Sequence, residues 1–275
     1  MRLHPCLIVL LLFTLSALPV SASADDNNPG VRLTGEDLRY GIDFLVFRNL
    51  AEGSLRFARD STPGHYRADL EAKTLGVAAW LTGDRTQRYS AIMEQTADGS
   101  LRSVTYESTV IKRKHGEWTH RGKRYRFDYR AGKVLYDESD GGPFRQKHEY
   151  PLPAGQTPVD ILTGFYNLRL GIYGALLSGA KLQIPTFTSR GISTIEVEVL
   201  PASALAAHSF FPQSGTLLRV TVDPEVFQTG GAALYAFLDG SGRPARGIVE
   251  DVIGMGDVYG YLQEPAAENT MAGVR

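Results

Sequence analysis

The sequence predicts a mostly β fold, a curved antiparallel sheet or open barrel with one central buried helix, and three observations carry that expectation. Short stretches with apolar residues at every second position, the mark of strands with one covered face, recur along most of the chain. Tight-turn sequences separate them at spacings that suit successive antiparallel neighbours. A single segment, Pro158 to Leu170, carries a strong helix pattern.

The chain opens on Met1 to Ala24, with Arg2, an apolar run from Cys6 to Leu18 and Ala22-Ser23-Ala24, which reads as a secretory signal peptide cleaved before Asp25. The run is about 13 residues, short of the roughly 20 needed to span a bilayer, and no later stretch approaches that length. No transmembrane segment is therefore expected after cleavage, and the expected location is outside the cytoplasm, in the periplasm. Cys6 is the only cysteine of the 275 residues and leaves with the signal, so the mature chain offers no disulfide and no thiolate. Removing Arg2 takes the formal charge from -1 to -2, which gives no global preference for polyanions. Residues 25–36 read as a flexible leader, 37–263 as one β-rich domain, and 264–275 as a flexible tail.

Within the domain, Leu38 to Phe47 alternates, and strand-like runs follow at Ala51 to Arg59, Tyr66 to Leu75, Arg85 to Thr96, Leu101 to Lys112, Lys123 to Arg130, Lys133 to Asp137 and Arg145 to Tyr150. Ala97-Asp98-Gly99-Ser100 and Arg130-Ala131-Gly132-Lys133 are turn sequences between them. Beyond the helix, strands are expected at Lys181 to Phe187, Ile192 to Leu200, Thr216 to Val222, Ala233 to Leu238, Arg246 to Val252 and Val258 to Leu262. Several strands carry apolar residues on both faces, and the run Val77-Ala78-Ala79-Trp80 adds to an apolar surplus that one helix cannot cover.

The helix has three start signals: Thr157 as N-cap, Pro158 at the first helical position and Asp160 as the answering acid. Ile161, Phe165, Leu168 and Ile172 form one apolar stripe, and Leu162, Tyr166 and Leu170 its neighbour, so the helix must be buried. Gly164 in its interior suggests close approach of another backbone, and Gly171 or Gly174 supplies the left-handed end. Asp160 and Arg169 stand at opposite ends, where an acid caps the N-terminus and a base complements the C-terminal dipole.

These residues also carry a resemblance. The stretches Leu38-Arg39-Tyr40-Gly41-Ile42-Asp43-Phe44, Asp98-Gly99-Ser100-Leu101, Val159 to Arg169 and Ala233 to Asp239 resemble an exported bacterial family of unknown function, numbered 3108. Its most specific part is the helix, where Asp160, Thr163 or Gly164, Tyr166, Leu168 and Arg169 match the family motif; Ile161-Leu162 and Asn167 depart from its commonest spelling. The resemblance implies export and a curved antiparallel sheet, and it supplies no reaction.

Motifs with definite chemistry are missing. His65, His115, His120, His148 and His208 have no zinc spacing, Asp137-Glu138-Ser139-Asp140 lacks the glutamate that closes a calcium loop, and no Gly-x-Ser-x-Gly elbow or dinucleotide loop occurs. No catalytic residue, metal or cofactor is assigned. Lys112 to Arg130 holds eight basic residues against Glu117 and Asp128, with Arg124, Arg126 and Arg130 on one strand face and Tyr125, Phe127 and Tyr129 on the other. Outside the cytoplasm nucleic acid is not the expected partner; Arg124, Arg126 and Arg130 are the candidate contacts for an anionic headgroup at the mouth of an apolar cavity. The expected function is a non-enzymatic envelope protein that binds a lipid or glycan or acts as a scaffold. Alternatives are an exported hydrolase with a dispersed site and a protein–protein interaction module in envelope assembly.

Overall fold

The computed structural model describes residues 29–44, 47–222, 233–251 and 256–264. The expected signal peptide and all but the first residue of the expected tail lie outside these residues, as do Leu45 and Val46. In chain order the elements are α1 (Pro29–Leu33), β1 (Glu36–Phe44), β2 (Phe47–Arg59), β3 (His65–Thr74), α2 (Gly76–Thr82), β4 (Thr86–Gln95), β5 (Leu101–Lys114), β6 (Glu117–Asp128), β7 (Lys133–Asp140) and β8 (Arg145–Pro151). The second half holds α3 (Ile161–Arg169), β9 (Lys181–Thr188), β10 (Gly191–Val199), α4 (Ala202–Ala207), β11 (Thr216–Thr221), β12 (Leu234–Leu238), β13 (Pro244–Val249) and β14 (Val258–Gln263).

All fourteen strands form one antiparallel sheet in the order β8-β7-β6-β5-β4-β3-β2-β1-β14-β13-β12-β11-β10-β9. The first eight run as a meander, and the last six do the same from the other side of β1. The sheet curls until its two edges face each other, and among the described residues no ladder joins them. Side chains and one connecting segment close the seam instead. Phe187 of β9 packs edge-on against Tyr125, Phe127 and Tyr150, and the Tyr150 hydroxyl donates to the Ser189 carbonyl. The segment before α3 runs extended beside β9, with Val159 N donating to Pro185 O at 3.0 Å and Thr186 Oγ1 donating to Val159 O at 2.8 Å.

That segment explains where the helix departs from expectation. Thr157 and Pro158 precede a strand-like stretch, and the helix begins three residues later, with Asp160 itself as the extended N-cap residue. Long-range pairing with β9 overrides the local start signals. The C-terminus follows the sequence: Gly171 takes φ 77°, and the bonds Gly171 N to Leu168 O and Ile172 N to Asn167 O form a Schellman motif. Gly164 has a close neighbour, but it is a side chain and not the expected backbone: a Cβ there would sit 3.0 Å from Ile184 Cγ2. The buried face is Leu162, Thr163, Gly164, Tyr166, Asn167 and Leu168, whereas Phe165 is half-buried and Ile172 is 38% exposed.

The other departures have similar causes. Leu38 to Phe47 is not one strand: β1 ends at Phe44, and Phe44 pairs with Phe47 at the tip of a hairpin, leaving Phe47 59% exposed. Val77-Ala78-Ala79-Trp80 belongs to α2 rather than to the sheet, and Val77 and Trp80 point outward at 67% and 81% exposure, so they contribute nothing to an interior. The leader is not wholly flexible. Pro29–Leu33 is helical, Thr34 Oγ1 donates to Gly30 O at 3.0 Å, and Leu33 packs on the core.

Most of the core lies inside the curl. Leu38, Leu55, Phe57, Tyr66, Met93 and Leu101 surround Tyr166 on one side of α3, and Leu168, Ile184, Ile195, Val197 and Leu218 pack on the other. Strands β11 to β13 are apolar on both faces because a second layer covers their outside. There Leu217, Phe237 and Ile248 pack beneath Leu205 of α4 and Phe211.

Candidate functional site

The helix α3 lies inside the curled sheet and is tied there by directional bonds. Asp160 is 2% exposed; its Oδ1 accepts from Leu162 N (2.9 Å) and Thr163 N (3.0 Å), and its Oδ2 from Ser103 Oγ (2.5 Å) and Thr163 Oγ1 (2.6 Å). Ser103 Oγ in turn accepts from Asp160 N at 2.8 Å, so β5 and the start of α3 are locked reciprocally. Burial pushes the Asp160 carboxyl above its ordinary range, and the four donors pull it back part of the way. Two turns on, Asn167 satisfies both backbone groups of Leu101, accepting from its N and donating to its O at 2.8 Å each, as a strand neighbour would.

At the far end Arg169 forms a bidentate pair with Glu36 at 2.6 and 2.7 Å, and its Nε donates to Gly242 O at 2.9 Å. The two side chains are only 4% and 10% exposed. Tyr166, fully buried against Phe57, extends its hydroxyl to Glu36 at 3.4 Å; burial and the Glu36 charge push its pKa far above the usual phenol range, so it stays neutral. Arg169 thus does more than answer the helix dipole: it clamps the helix end to β1 and to the 239–244 turn.

Beside α3 the interior is not filled. An apolar cavity of ≈ 400 Å³ is bounded by Ile161, Phe165 and Leu168 of the helix and by inward side chains of β1 to β5 and β9 to β14. Its origin can be read from the ladder. The inward positions Ile42, Gly260, Gly247, Ala236 and Leu218 are partners in succession across β1, β14, β13, β12 and β11, and all five line the cavity. Two glycines and an alanine in succession leave that wall with a single methyl group. A Cβ built on Gly260 would meet only Gly247 O, at 4.0 Å.

Arg124, Arg126 and Arg130 do not stand at this cavity. Tyr125 points into the core, so its neighbours Arg124 and Arg126 lie on the outer face, where both bind Asp137 (Nε to Oδ2 at 2.9 and 3.1 Å) and Arg124 stacks on Phe144 at 4.3 Å. Burial pushes Asp137 up, and the bonds from Arg126 and Arg124 more than reverse this, holding its carboxyl below the usual range. Arg130 is exposed in the β6–β7 turn. The structure therefore corrects the headgroup assignment of all three. Among the described residues no three or more His, Cys, Asp or Glu side chains gather as a metal site. His148 stacks on Tyr136, while His208 packs edge-on against Phe211 and tilted against Tyr235.

Sequence reasoning missed Ser103, Asn167 and Glu36 as partners of the motif. Ser103 carried a signal, a small polar residue at an inward strand position two from Leu101, while Glu36 carried none. The motif residues Asp160, Thr163, Tyr166, Leu168 and Arg169 do come together, as the groups that position one helix inside the sheet.

The model of a protein family described as "Protein of unknown function (DUF3108)" matches residues 37–231, from β1 through α3 to beyond β11. The chain belongs to this family. The matched span includes both ends of the clamped helix except for Glu36, which lies one residue before it. Among solved structures, the chain is similar to the beta-barrel-like protein of domain of unknown function DUF1849 from Brucella abortus, at 12% identity and a TM-score of 0.47, over 83% of this chain and 95% of that one. No curated protein matches. Among the described residues no helix is long and apolar enough to cross a membrane.

Proposed function

We propose that this protein is an exported, non-enzymatic lipid-binding protein of the cell envelope whose curled sheet holds an acyl or isoprenoid chain beside α3. The observation that carries this reading is the ≈ 400 Å³ apolar cavity with its wall of Gly260, Gly247 and Ala236. Its size is that of a small-molecule site, roughly 300–1,000 Å³. A space lined mostly by Ile, Leu, Val and aromatic rings gives water few partners, whereas each methylene buried there contributes about 0.8 kcal/mol. That chemistry supports a lipid chain over a glycan, which would leave its hydroxyls unpaired.

Native mass spectrometry of protein purified from the envelope fraction, with displacement of a fluorescent fatty acid, tests the reading. The expected result is a co-purifying lipid and saturable displacement in the wild type, and loss of both in Gly260→Leu with the thermal midpoint maintained. Leu at this position grows into the empty space, and Gly260 does not have a positive φ that would resist a side chain. Absence of bound lipid and of displacement in the wild type would overturn it. A second reading, an interaction module, is supported by the outward Val77 and Trp80 on α2; Trp80→Ser reducing crosslinking to an envelope protein without changing lipid displacement would favour it.

A further inference from the structure

Two steps along the strands change the character of the concave face. One inward row runs Ala91, Tyr106, Tyr125, Tyr136 and His148 across β4 to β8, and it forms the aromatic floor that meets Phe187. The next inward row is Tyr89, Ser108, Lys123, Glu138 and Arg145, and the one beyond it is Gln87, Val110, Arg121 and Asp140. The floor thus passes into a polar groove of ≈ 830 Å³. Its lining includes six cations, Arg85, Lys112, Arg121, Lys123, Arg145 and Lys147, against two carboxylates, Glu138 and Asp140, which gives a local charge of +4. Arg121 is paired with Asp140 at 3.2 Å, and Glu138 accepts from the Tyr136 hydroxyl at 2.5 Å.

The groove adjoins the apolar cavity. Tyr89 lines both, and it stacks on Tyr106, whose ring also faces the cavity, with centroids 6.5 Å apart. An apolar chamber and a cationic groove that share one wall are complementary to a molecule with an apolar chain and an anionic head. On this basis we propose that the groove is the headgroup site of an anionic amphiphile, a lipid bearing a phosphate or comparable multi-oxygen anion, whose chain occupies the cavity. The inference rests on the chain-binding reading above and adds the charge class of its ligand. Arginine and lysine side chains on β5, β6 and β8 suit several phosphate oxygens at once.

Competition against a fluorescent fatty acid tests it with three probes: lysophosphatidic acid, lysophosphatidylcholine of the same acyl chain, and glycerol phosphate, which has the head without the chain. Lysophosphatidic acid is expected to compete roughly tenfold more tightly than lysophosphatidylcholine, with the difference shrinking as salt rises. The double variant R121Q/R145Q changes two exposed side chains. It is expected to lose most of that difference while leaving lysophosphatidylcholine competition and the thermal midpoint unchanged. Equal competition by the two lipids in the wild type would overturn the headgroup assignment and leave chain binding intact. Glycerol phosphate binding as tightly as the anionic lipid, with no displacement by lysophosphatidylcholine, would instead overturn chain binding and identify the groove as a site for a soluble phosphate. Failure of all three probes would refute both.

Discussion

Replacing Asp160 by Ala removes more than a helix cap, and the structure allows its cost to be worked out group by group. Loss of Oδ1 leaves the N–H groups of Leu162 and Thr163 without their cap, which typically costs about 1–2 kcal/mol. Loss of Oδ2 strands the hydroxyls of Ser103 and Thr163, both 0% exposed, at about 1–3 kcal/mol for each group left unsatisfied. Relief of the buried charge offsets part of this, so a net loss of about 3–5 kcal/mol is expected. Asp160→Asn keeps the cap oxygen, and both hydroxyls can turn to accept from its amide, so its cost should be about 1–2 kcal/mol. Urea midpoints at constant slope measure both, and a cycle with Ser103→Ala should show coupling of at least about 1 kcal/mol.

The pH dependence has an unusual sign for an aspartate. Burial raises the folded-state pKa of Asp160 above the ordinary 3.8, so the folded protein holds this proton more tightly than the unfolded chain does. The stability this proton contributes is fully present below about 3.8 and is lost as pH rises through the raised value. The advantage of the wild type over Asp160→Asn should therefore shrink from acidic to neutral pH. An Ala variant within about 1 kcal/mol of wild type, or additive behaviour with Ser103→Ala, would refute the reasoning, because either result means that Oδ2 is not holding β5 to α3.

Two further outcomes are expected. Glu36→Leu strands the Arg169 guanidinium at 4% exposure and should cost about 3–5 kcal/mol in denaturant midpoint experiments, while the double variant E36L/R169M should recover most of that loss. Asp239 behaves as the opposite of Asp160: burial pushes it up, but bonds from Ser241 and Arg243 more than reverse this and hold it at about 2. Its contribution is therefore present above about 3.8 and lost as pH falls toward 2. Asp239→Asn should flatten that acid limb in thermal melts, and an unchanged limb would count against the turn as a support for Arg169.

Much of the sheet was legible because antiparallel strands with one covered face write a period of two into the sequence, and because their turns demand particular residues. The β4–β5 turn, Ala97 to Ser100 with Gly99 at φ 85°, is an example. The start of α3 was not legible, since Thr157 and Pro158 are good helix starters and only pairing of Val159 with β9, a partner far along the chain, forbids them the role. The inward cations of β6 were misread by one residue of parity. If Tyr125 and Phe127 face inward, so do Arg121 and Lys123, and Arg124 and Arg126 do not; the alternation that identified the strand also identified its inner cations. Glu36 as the partner of Arg169 lay beyond reach, because the pair spans 133 residues with no local signal.

The polar groups on α3 follow from the space beside it. A nine-residue helix in a fully packed core is fixed by interlocking side chains, but one flank of this helix borders a cavity, where packing leaves its position underdetermined. Directional bonds supply what packing does not: Asp160 to Ser103 at one end, Asn167 to the Leu101 backbone along the flank, and Arg169 to Glu36 at the other end. Each such pair carries a desolvation cost that an apolar substitute would avoid, so on stability grounds alone they are poor choices. Their advantage is that they hold the helix against β1 and β5 whether or not the cavity is filled. On the proposed chain-binding reading, a chain could enter and leave without the helix collapsing into the space it vacates, and bonded groups spaced along α3 suit that requirement.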